Sequence, residues 1–181
     1  MNKKKRGEEM LVYPKFYCNN VRDVKLEFLE KNNIKGIILD VDNTLIDYYR
    51  KFEEGTIEWV KNLKENGIKF CIVSNSNNVE KVKYVSEILD IPYYYFAKKP
   101  LKTGFMKAQK QMQLPVQNIA AIGDQIMTDV IGSNRCKMFS ILVKPIMEKD
   151  IFITRLKRPI ENKIINNYLN KIKKEKENNV Y

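Results

Sequence analysis

Short apolar runs alternate along the chain with stretches in which apolar residues recur at helical spacing. The runs predict strands at residues 36–41, 69–73, 93–96, 119–122 and 139–143. Helices are predicted between them, at residues 53–66, 79–89 and 102–113. Several runs are apolar throughout, which is typical of strands covered on both faces. The alternation indicates βαβ units, so we expect a doubly wound, Rossmann-like three-layer α/β fold with a central parallel sheet of about five strands.

The two ends of the chain differ from this core. Residues 1–10 are predicted to be a disordered basic segment, residues 11–158 a single domain, and residues 159–181 an amphipathic helix with a polar tail. One stripe of this helix is apolar and consists of Ile160, Ile164, Ile165, Tyr168, Leu169 and Ile172. The stripe suits packing against the sheet and also suits a membrane surface, and the sequence leaves both interpretations open.

The composition excludes several classes of catalytic site. The 181 residues include no histidine, which excludes a Ser-His-Asp triad and a histidine-ligated zinc. The three cysteines have no CxxC spacing, which argues against a disulfide framework and favours a reducing compartment. The sequence shows neither a secretory signal nor an apolar stretch of ~20 residues, so a cytoplasmic location is predicted. Acid and base chemistry must then fall to carboxylates, lysines or tyrosines.

The positive charge is unevenly distributed. The formal net charge is +11, and residues 91–144 alone contain eight basic and two acidic residues. Such a distribution attracts anions, whether phosphorylated small molecules, nucleic acid or an anionic lipid surface. The charge indicates an anionic partner without choosing its class.

Polar side chains stand where the predicted strands end. Asp40 and Asp42 close the first strand, and because burying carboxylates without a partner is costly, the pair predicts a metal. Ligands of doubly wound sheets bind at the carboxyl ends of the strands. The other polar residues at those ends are Ser74, Asn75, Lys98, Lys99, Asp124 and Asp129. Carboxylates hold Mg²⁺, whereas serine, lysine and backbone amides bind phosphate.

These residues match the motifs of a known family. The chain resembles phosphatases of the haloacid dehalogenase (HAD) superfamily. The DxDxT motif stands as Asp40-Val41-Asp42-Asn43-Thr44, and the later motifs stand as Ser74, Lys99 and Gly123-Asp124 with Asp129. Longer runs at residues 39–45, 97–101, 122–130 and 141–146 are similar to subfamily IIIA. They resemble above all its YqeG-type group, which is related to the mitochondrial phosphatidylglycerophosphate phosphatases.

The resemblance implies a role for each motif residue. Asp40 would be the nucleophile that forms an aspartyl-phosphate, and Asp42 the general acid and base. Mg²⁺ would be held by the Asp40 side chain, the Asp42 backbone carbonyl and Asp124.

The remaining motif residues would bind or support the phosphate. Ser74, Asn75 and Lys99 are the predicted phosphate ligands, although the sequence leaves open whether Lys98 takes the place of Lys99. The predicted supporting residues are Thr44, Lys98 and Asp129, of which Asp129 would orient Lys99 or a metal-bound water.

The spacing between motifs bears on the substrate. Only 31 residues separate Asp42 from Ser74 and 24 separate Ser74 from Lys99, which leaves no room for a cap domain. The resemblance then implies an open site, a phosphatidylglycerophosphate substrate and peripheral contact with the inner face of a membrane, without a transmembrane segment. Arg155 and Arg158 are candidate headgroup or anion contacts.

Two other functions compete with this hypothesis. One is a HAD phosphatase of a soluble metabolite, nucleotide or phosphoprotein. The other is a basic RNA- or ribosome-associated binding protein, for which the aromatic residues 93–96 beside Lys98 and Lys99 are the observation. The filled catalytic positions argue against nucleic acid as the partner.

Overall fold

The computed structural model describes residues 11–147 and 152–178, with side chains in the second range described for residues 159–174. Residues 1–10, predicted to be disordered, lie outside this part of the chain. The strands are β1 (Phe16–Cys18), β2 (Gly36–Leu39), β3 (Lys69–Val73), β4 (Tyr93–Tyr94), β5 (Ile119–Gly123) and β6 (Phe139–Val143). The helices are α1 (Leu26–Lys31), α2 (Thr56–Glu65), α3 (Val79–Leu89), α4 (Lys102–Met112), α5 (Ile131–Arg135) and α6 (Phe152–Asn178).

The strands form one parallel sheet in the order β1-β6-β5-β2-β3-β4. Strand β2 lies at its centre, with Ile38 in register with Cys71 of β3 and Ala121 of β5. Ile37 and Leu39 pack into one core, with α2 and α3, whereas Ile38 packs into a second core with α4. Helices therefore cover both faces, which confirms the predicted three-layer α/β fold and explains why β2 is apolar throughout.

The sheet has one more strand than predicted. The sequence analysis did not identify β1, which has only three residues and pairs at the edge of the sheet with β6 through Phe16 and Ile141. Strand β4 is shorter than predicted because the backbone turns away after Tyr94, where Phe96 and Lys98 adopt φ values of 47° and 55°. Among the described residues, one helix connects β2 to β3 and one connects β3 to β4, so no cap domain is inserted.

Helix α6 packs against the core through one face. Ile164 and Ile165 contact a cluster around Ile126, and the ring of Tyr168 lies 5.7 Å from that of Tyr13. The buried Glu161 carboxylate accepts a hydrogen bond from the Met127 amide at 3.0 Å. The packing interpretation of the apolar stripe thus holds for these residues, although Ile160 and Leu169 remain exposed. No helix in the described part of the chain is long and apolar enough to span a bilayer.

Candidate active site

The nucleophile candidate Asp40 follows directly on the central strand. Its amide donates a 3.0 Å hydrogen bond to the Ile122 carbonyl, which fixes Asp40 beside the end of β5. The next residues form a tight turn in which the Val41 carbonyl accepts bonds from the amides of Thr44 and Leu45. The turn leaves Asp40 buried, whereas the Asp42 side chain is 36% exposed. The two carboxylates therefore occupy different environments, as the assignment of different roles requires.

Lys99 enters the site from the loop after β4. Its Nζ lies 2.6 Å from Oδ1 of Asp40 and 2.6 Å from Oδ1 of Asp129, and its side chain is only 3% exposed. The Asn75 side-chain amide holds the Lys99 backbone: Oδ1 accepts from the Lys99 amide at 2.6 Å, and Nδ2 donates to its carbonyl at 3.0 Å. The Lys99–Pro100 peptide is cis. Lys98, by contrast, is exposed, with its Nζ 5.1 Å from the centre of the Phe96 ring.

Asp124 and Asp129 bring the remaining acidic groups from the end of β5. A π-helical turn, Ile126–Val130, directs Asp129 back towards the strand, where its Oδ2 accepts hydrogen bonds from the Gln125 amide and the Thr128 hydroxyl, each at 3.2 Å. A Cβ atom on Gly123 would lie 2.3 Å from Cγ of Asp129. Only glycine permits this close approach, so the glycine before Asp124 is a packing requirement of the site.

The acidic side chains form a donor set that suits a divalent cation. One oxygen each from the buried Asp40, Asp124 and Asp129 lie within 4.8 Å of one another. Three carboxylates and one lysine leave the cluster net negative when all are ionised, and hard cations such as Mg²⁺ prefer oxygen ligands. These residues fit a metal, and Asp129, predicted as a supporting residue, lies within the donor set.

Burial and charge set the proton affinities of this cluster. Burial raises the pKa of Asp40 to about 7; Lys99 opposes the effect, and the charges of Asp129 and Asp42 add to it. Burial alone would lower the pKa of Lys99, but the carboxylates of Asp129 and Asp40 raise it above its ordinary value. A lysine held in its charged form between two carboxylates is the kind of group that can stabilise a phosphoryl oxygen.

Two other predicted residues, Ser74 and Thr44, lie just after the carboxyl ends of β3 and β2. Ser74 is buried at the end of β3, and its Oγ accepts a 3.1 Å bond from the Ser76 amide, so its hydroxyl proton can be donated elsewhere. Thr44 is buried, and its hydroxyl has no hydrogen-bond partner among the described residues. The helix backbone includes Arg155 and Arg158, but their side chains are outside the description.

Lys81 is a site residue that the sequence analysis did not identify. It lies in the first turn of α3, where Asn78 caps the helix, and its Nζ is 2.5 Å from Oδ1 of Asp42. The Lys81 side chain is 15% exposed. A cation in the first turn of a helix is disfavoured by the helix dipole, and this was the one signal in the sequence that could have drawn attention to it.

Comparison with known proteins assigns the chain to a family. The family model described as Mitochondrial PGP phosphatase matches residues 7–148, well over half of the chain. The chain belongs to this family. The matched range includes the whole acidic cluster and the residues beside it: Asp40, Ser74, Lys99, Asp124 and Asp129.

Relatives of known sequence agree with the family assignment. The probable phosphatase YqeG of Bacillus subtilis (strain 168) is 43% identical over 153 residues, covering 84% of this chain and 88% of that protein. Phosphatidylglycerophosphate phosphatase 1, chloroplastic, of Chlamydomonas reinhardtii is 24% identical over 149 residues, which cover 77% of this chain and 55% of the algal protein. The chain thus spans about half the length of the algal relative.

A solved structure supports the fold. An uncharacterized protein from Listeria monocytogenes serotype 4b superposes with a TM-score of 0.53 at 20% identity, covering 65% of this chain and 85% of that one. Together with the family match, the comparisons confirm a HAD phosphatase of the YqeG type, a hydrolase that acts on phosphate esters.

Proposed function

We propose that this phosphatase removes the terminal phosphate of phosphatidylglycerophosphate by a Mg²⁺-dependent reaction that passes through an aspartyl-phosphate at Asp40. The observation that carries the proposal is the buried cluster in which Lys99 bridges Asp40 and Asp129 within reach of Asp124. A carboxylate held against a buried cation at the carboxyl edge of a parallel sheet is suited to attack phosphorus. The lipid substrate is supported by the family match and by the activity for which the algal relative is named.

The reaction would proceed in two displacements at phosphorus. An oxygen of Asp40 forms a bond to phosphorus while the bond to the alcohol oxygen breaks, and Asp42 gives that oxygen its proton. Asp42 then takes a proton from water, whose oxygen bonds to phosphorus as the bond to Asp40 breaks. Ser74 and Lys99 would hold the phosphoryl oxygens during both steps. Asp42 is suited to moving protons since its carboxylate is the more exposed of the pair.

The metal would be held by the side chains of Asp40 and Asp124 and by the Asp42 backbone carbonyl, with Asp129 close enough to contribute. A bound Mg²⁺ would neutralise charge between the Asp40 carboxylate and the phosphate. Lys99 has the complementary task, because it keeps Asp40 and Asp129 in place through two short charge-assisted hydrogen bonds.

Removal of the metal is expected to abolish turnover. Treatment with EDTA should lower the rate of phosphate release by about 100-fold or more, because the attack of one anion on another loses its neutralising charge. Mg²⁺ should restore the rate. Ca²⁺ should restore less of it, because Ca²⁺ is the larger ion and binds its oxygen ligands at longer distances and in a less regular geometry. Full activity after chelation and dialysis would contradict the metal assignment.

A panel of substrates tests the proposed lipid. Phosphatidylglycerophosphate in detergent micelles is compared with nucleotides, sugar phosphates and a phosphopeptide, each at matched phosphate concentration. We expect kcat/KM for the lipid to exceed the others by about 100-fold, the scale on which a site separates substrates by specific contacts. A soluble phosphate ester preferred by the same factor would replace the lipid while leaving the reaction type intact.

Lys81 is expected to act through Asp42. The Lys81→Met variant removes the ion pair that holds the Asp42 carboxylate, so protonation of the leaving oxygen should become less efficient, with kcat/KM lower by about 10- to 100-fold. An alkyl phosphate should be affected more than an activated aryl phosphate, whose leaving group needs no proton.

The matched control for this variant is Lys83→Met, on the same helix, because Lys83 is half exposed and pairs with Glu87 instead. Equal losses on alkyl and aryl phosphates, or the same loss in both lysine variants, would show that Lys81 has only a structural role.

A further inference from the structure

Exposed apolar side chains concentrate at the edge of the sheet where Asp40 lies. Of the eleven large apolar side chains that are exposed among the described residues, five lie in the loops after β2 and β4. They are Tyr48, Tyr49, Tyr95, Phe96 and Leu101. Strand β3 lies between β2 and β4, so these loops leave the same edge of the sheet on either side of the loop that carries Ser74. The loop tips at residues 48–51 and 95–98 are called the aromatic rim below.

The first tip is an ordered turn that presents its rings to solvent. Asp47 Oδ1 accepts hydrogen bonds from the amides of Tyr49 and Lys51 at 2.8 and 2.9 Å, and the Asp47 amide donates to the Lys51 carbonyl. The Tyr48 and Tyr49 rings stack edge to face, 5.6 Å apart, and are 64% and 65% exposed. The turn itself, through the Asp47 carboxylate, holds these aromatic residues in their exposed positions.

The second tip is hydrogen-bonded to the loop after β3, which carries Ser74. The amides of Phe96 and Ala97 donate to the carbonyls of Ser76 and Ser74, each at 2.9 Å. Phe96 nevertheless has a positive φ of 47° and is 55% exposed. A left-handed backbone is unfavourable for a bulky side chain, and in the described structure the exposed face of the Phe96 ring is contacted only by the equally exposed Lys98.

Both tips have the same chemistry, in which two adjacent aromatic residues are followed closely by exposed cations. Arg50 and Lys51 follow the tyrosines of the first tip, and Lys98 follows Phe96. Aromatic side chains favour the boundary between headgroups and acyl chains, and each cation near an anionic bilayer adds to the attraction.

We propose that the aromatic rim docks on an anionic lipid bilayer and thereby brings the open active site to the headgroups. This inference rests on the proposed lipid substrate and assigns membrane contact to the rim instead of α6.

The test compares two double variants of the full chain. Tyr48→Ser/Phe96→Ser removes one ring from each tip, and Ile160→Ser/Leu169→Ser removes two exposed apolar side chains from α6. Sedimentation with phosphatidylcholine vesicles containing phosphatidylglycerol measures binding, and the fluorescence of the single tryptophan, the buried Trp59, reports folding. The rim variant should bind about tenfold more weakly or worse, whereas the α6 variant should bind like the wild type.

A direct probe places the rim at the bilayer. Brominated phosphatidylcholine in the same vesicles should quench the fluorescence of the new tryptophan in the Tyr48→Trp variant. The fluorescence of the wild-type protein, which comes from Trp59 alone, should not change. Loss of binding in the α6 variant alone, unaltered binding of the rim variant, absence of wild-type binding, or tight RNA binding without vesicle binding would each overturn the proposal.

Failure of the proposed substrate would look different. A protein that binds vesicles through the rim but does not hydrolyse phosphatidylglycerophosphate in micelles would support the membrane contact and contradict the lipid reaction. Conversely, a protein that hydrolyses phosphatidylglycerophosphate in micelles but does not bind vesicles would overturn the rim proposal and still support the proposed reaction.

Discussion

Asp40→Asn is expected to reduce phosphate release by about 10⁴-fold or more, whichever phosphate ester is offered, because a neutral amide is too weak a nucleophile to attack phosphorus in place of the carboxylate. The fold should survive, since the substitution removes a charge that burial already disfavours, as the raised pKa of Asp40 indicates. The measurement is steady-state phosphate release, together with rapid acid quenching and mass spectrometry. The wild type should then gain the mass of one phosphoryl group on the peptide that contains Asp40.

Asp90→Asn is the matched control for this experiment. Asp90 also follows a regular element, but its side chain is 96% exposed and pairs with Lys64, and neither residue belongs to a motif. Its substitution should leave the rate unchanged. Turnover by Asp40→Asn at a rate near that of the wild type, or a phosphoryl group found on another residue, would refute the nucleophile assignment.

Lys99→Met is expected to lower the free energy of unfolding by about 3 to 5 kcal/mol in metal-free buffer, because Asp40 and Asp129 would then be buried without their shared cation. Urea unfolding followed by the fluorescence of Trp59 measures this loss. Mg²⁺ should stabilise the variant more than the wild type, because a divalent cation would supply the charge that the carboxylates have lost.

Lys98→Met provides the comparison on the neighbouring residue. Lys98 is exposed, so its removal should change the free energy of unfolding by less than about 0.5 kcal/mol. The same pair of variants decides which lysine the phosphate needs: activity should be lost with Lys99→Met. Equal stability of the two variants, or loss of activity in Lys98→Met alone, would contradict the assignment to Lys99.

The sequence predicted those parts of the site that depend on strand ends. Apolar runs located β2, β3 and β5, and parallel strands must bring their carboxyl ends to one edge, so the sequence alone predicts that Asp40, Ser74 and Asp124 lie at the same edge of the sheet. The strand β1 was missed because three residues at a sheet edge leave no periodic signal.

Side-chain direction in the loops could not be predicted in the same way. The Asn75 amide holds the Lys99 backbone, and its predicted contact with phosphate remains a prediction. Lys81 reaches Asp42 only because α3 begins beside the turn after β2, a juxtaposition of residues 39 positions apart that no local pattern records. The fold could be inferred from periodicity, whereas these contacts depend on how loops meet in three dimensions.

The hydrogen bond from the Asp40 amide to the Ile122 carbonyl ties the start of the candidate site to the central strands, whereas the two lysines of the site are carried by other elements. Asp40 and Asp124 are carried by paired strands at the centre of the sheet, so their separation is as rigid as the β ladder itself. Lys99 arrives on a loop after a two-residue strand, and Lys81 on a helix beyond another loop. We therefore expect adjustment to differently shaped phosphate esters at Lys81 and Asp42, because Asn75 holds the backbone of Lys99 and the strands fix Asp40 and Asp124.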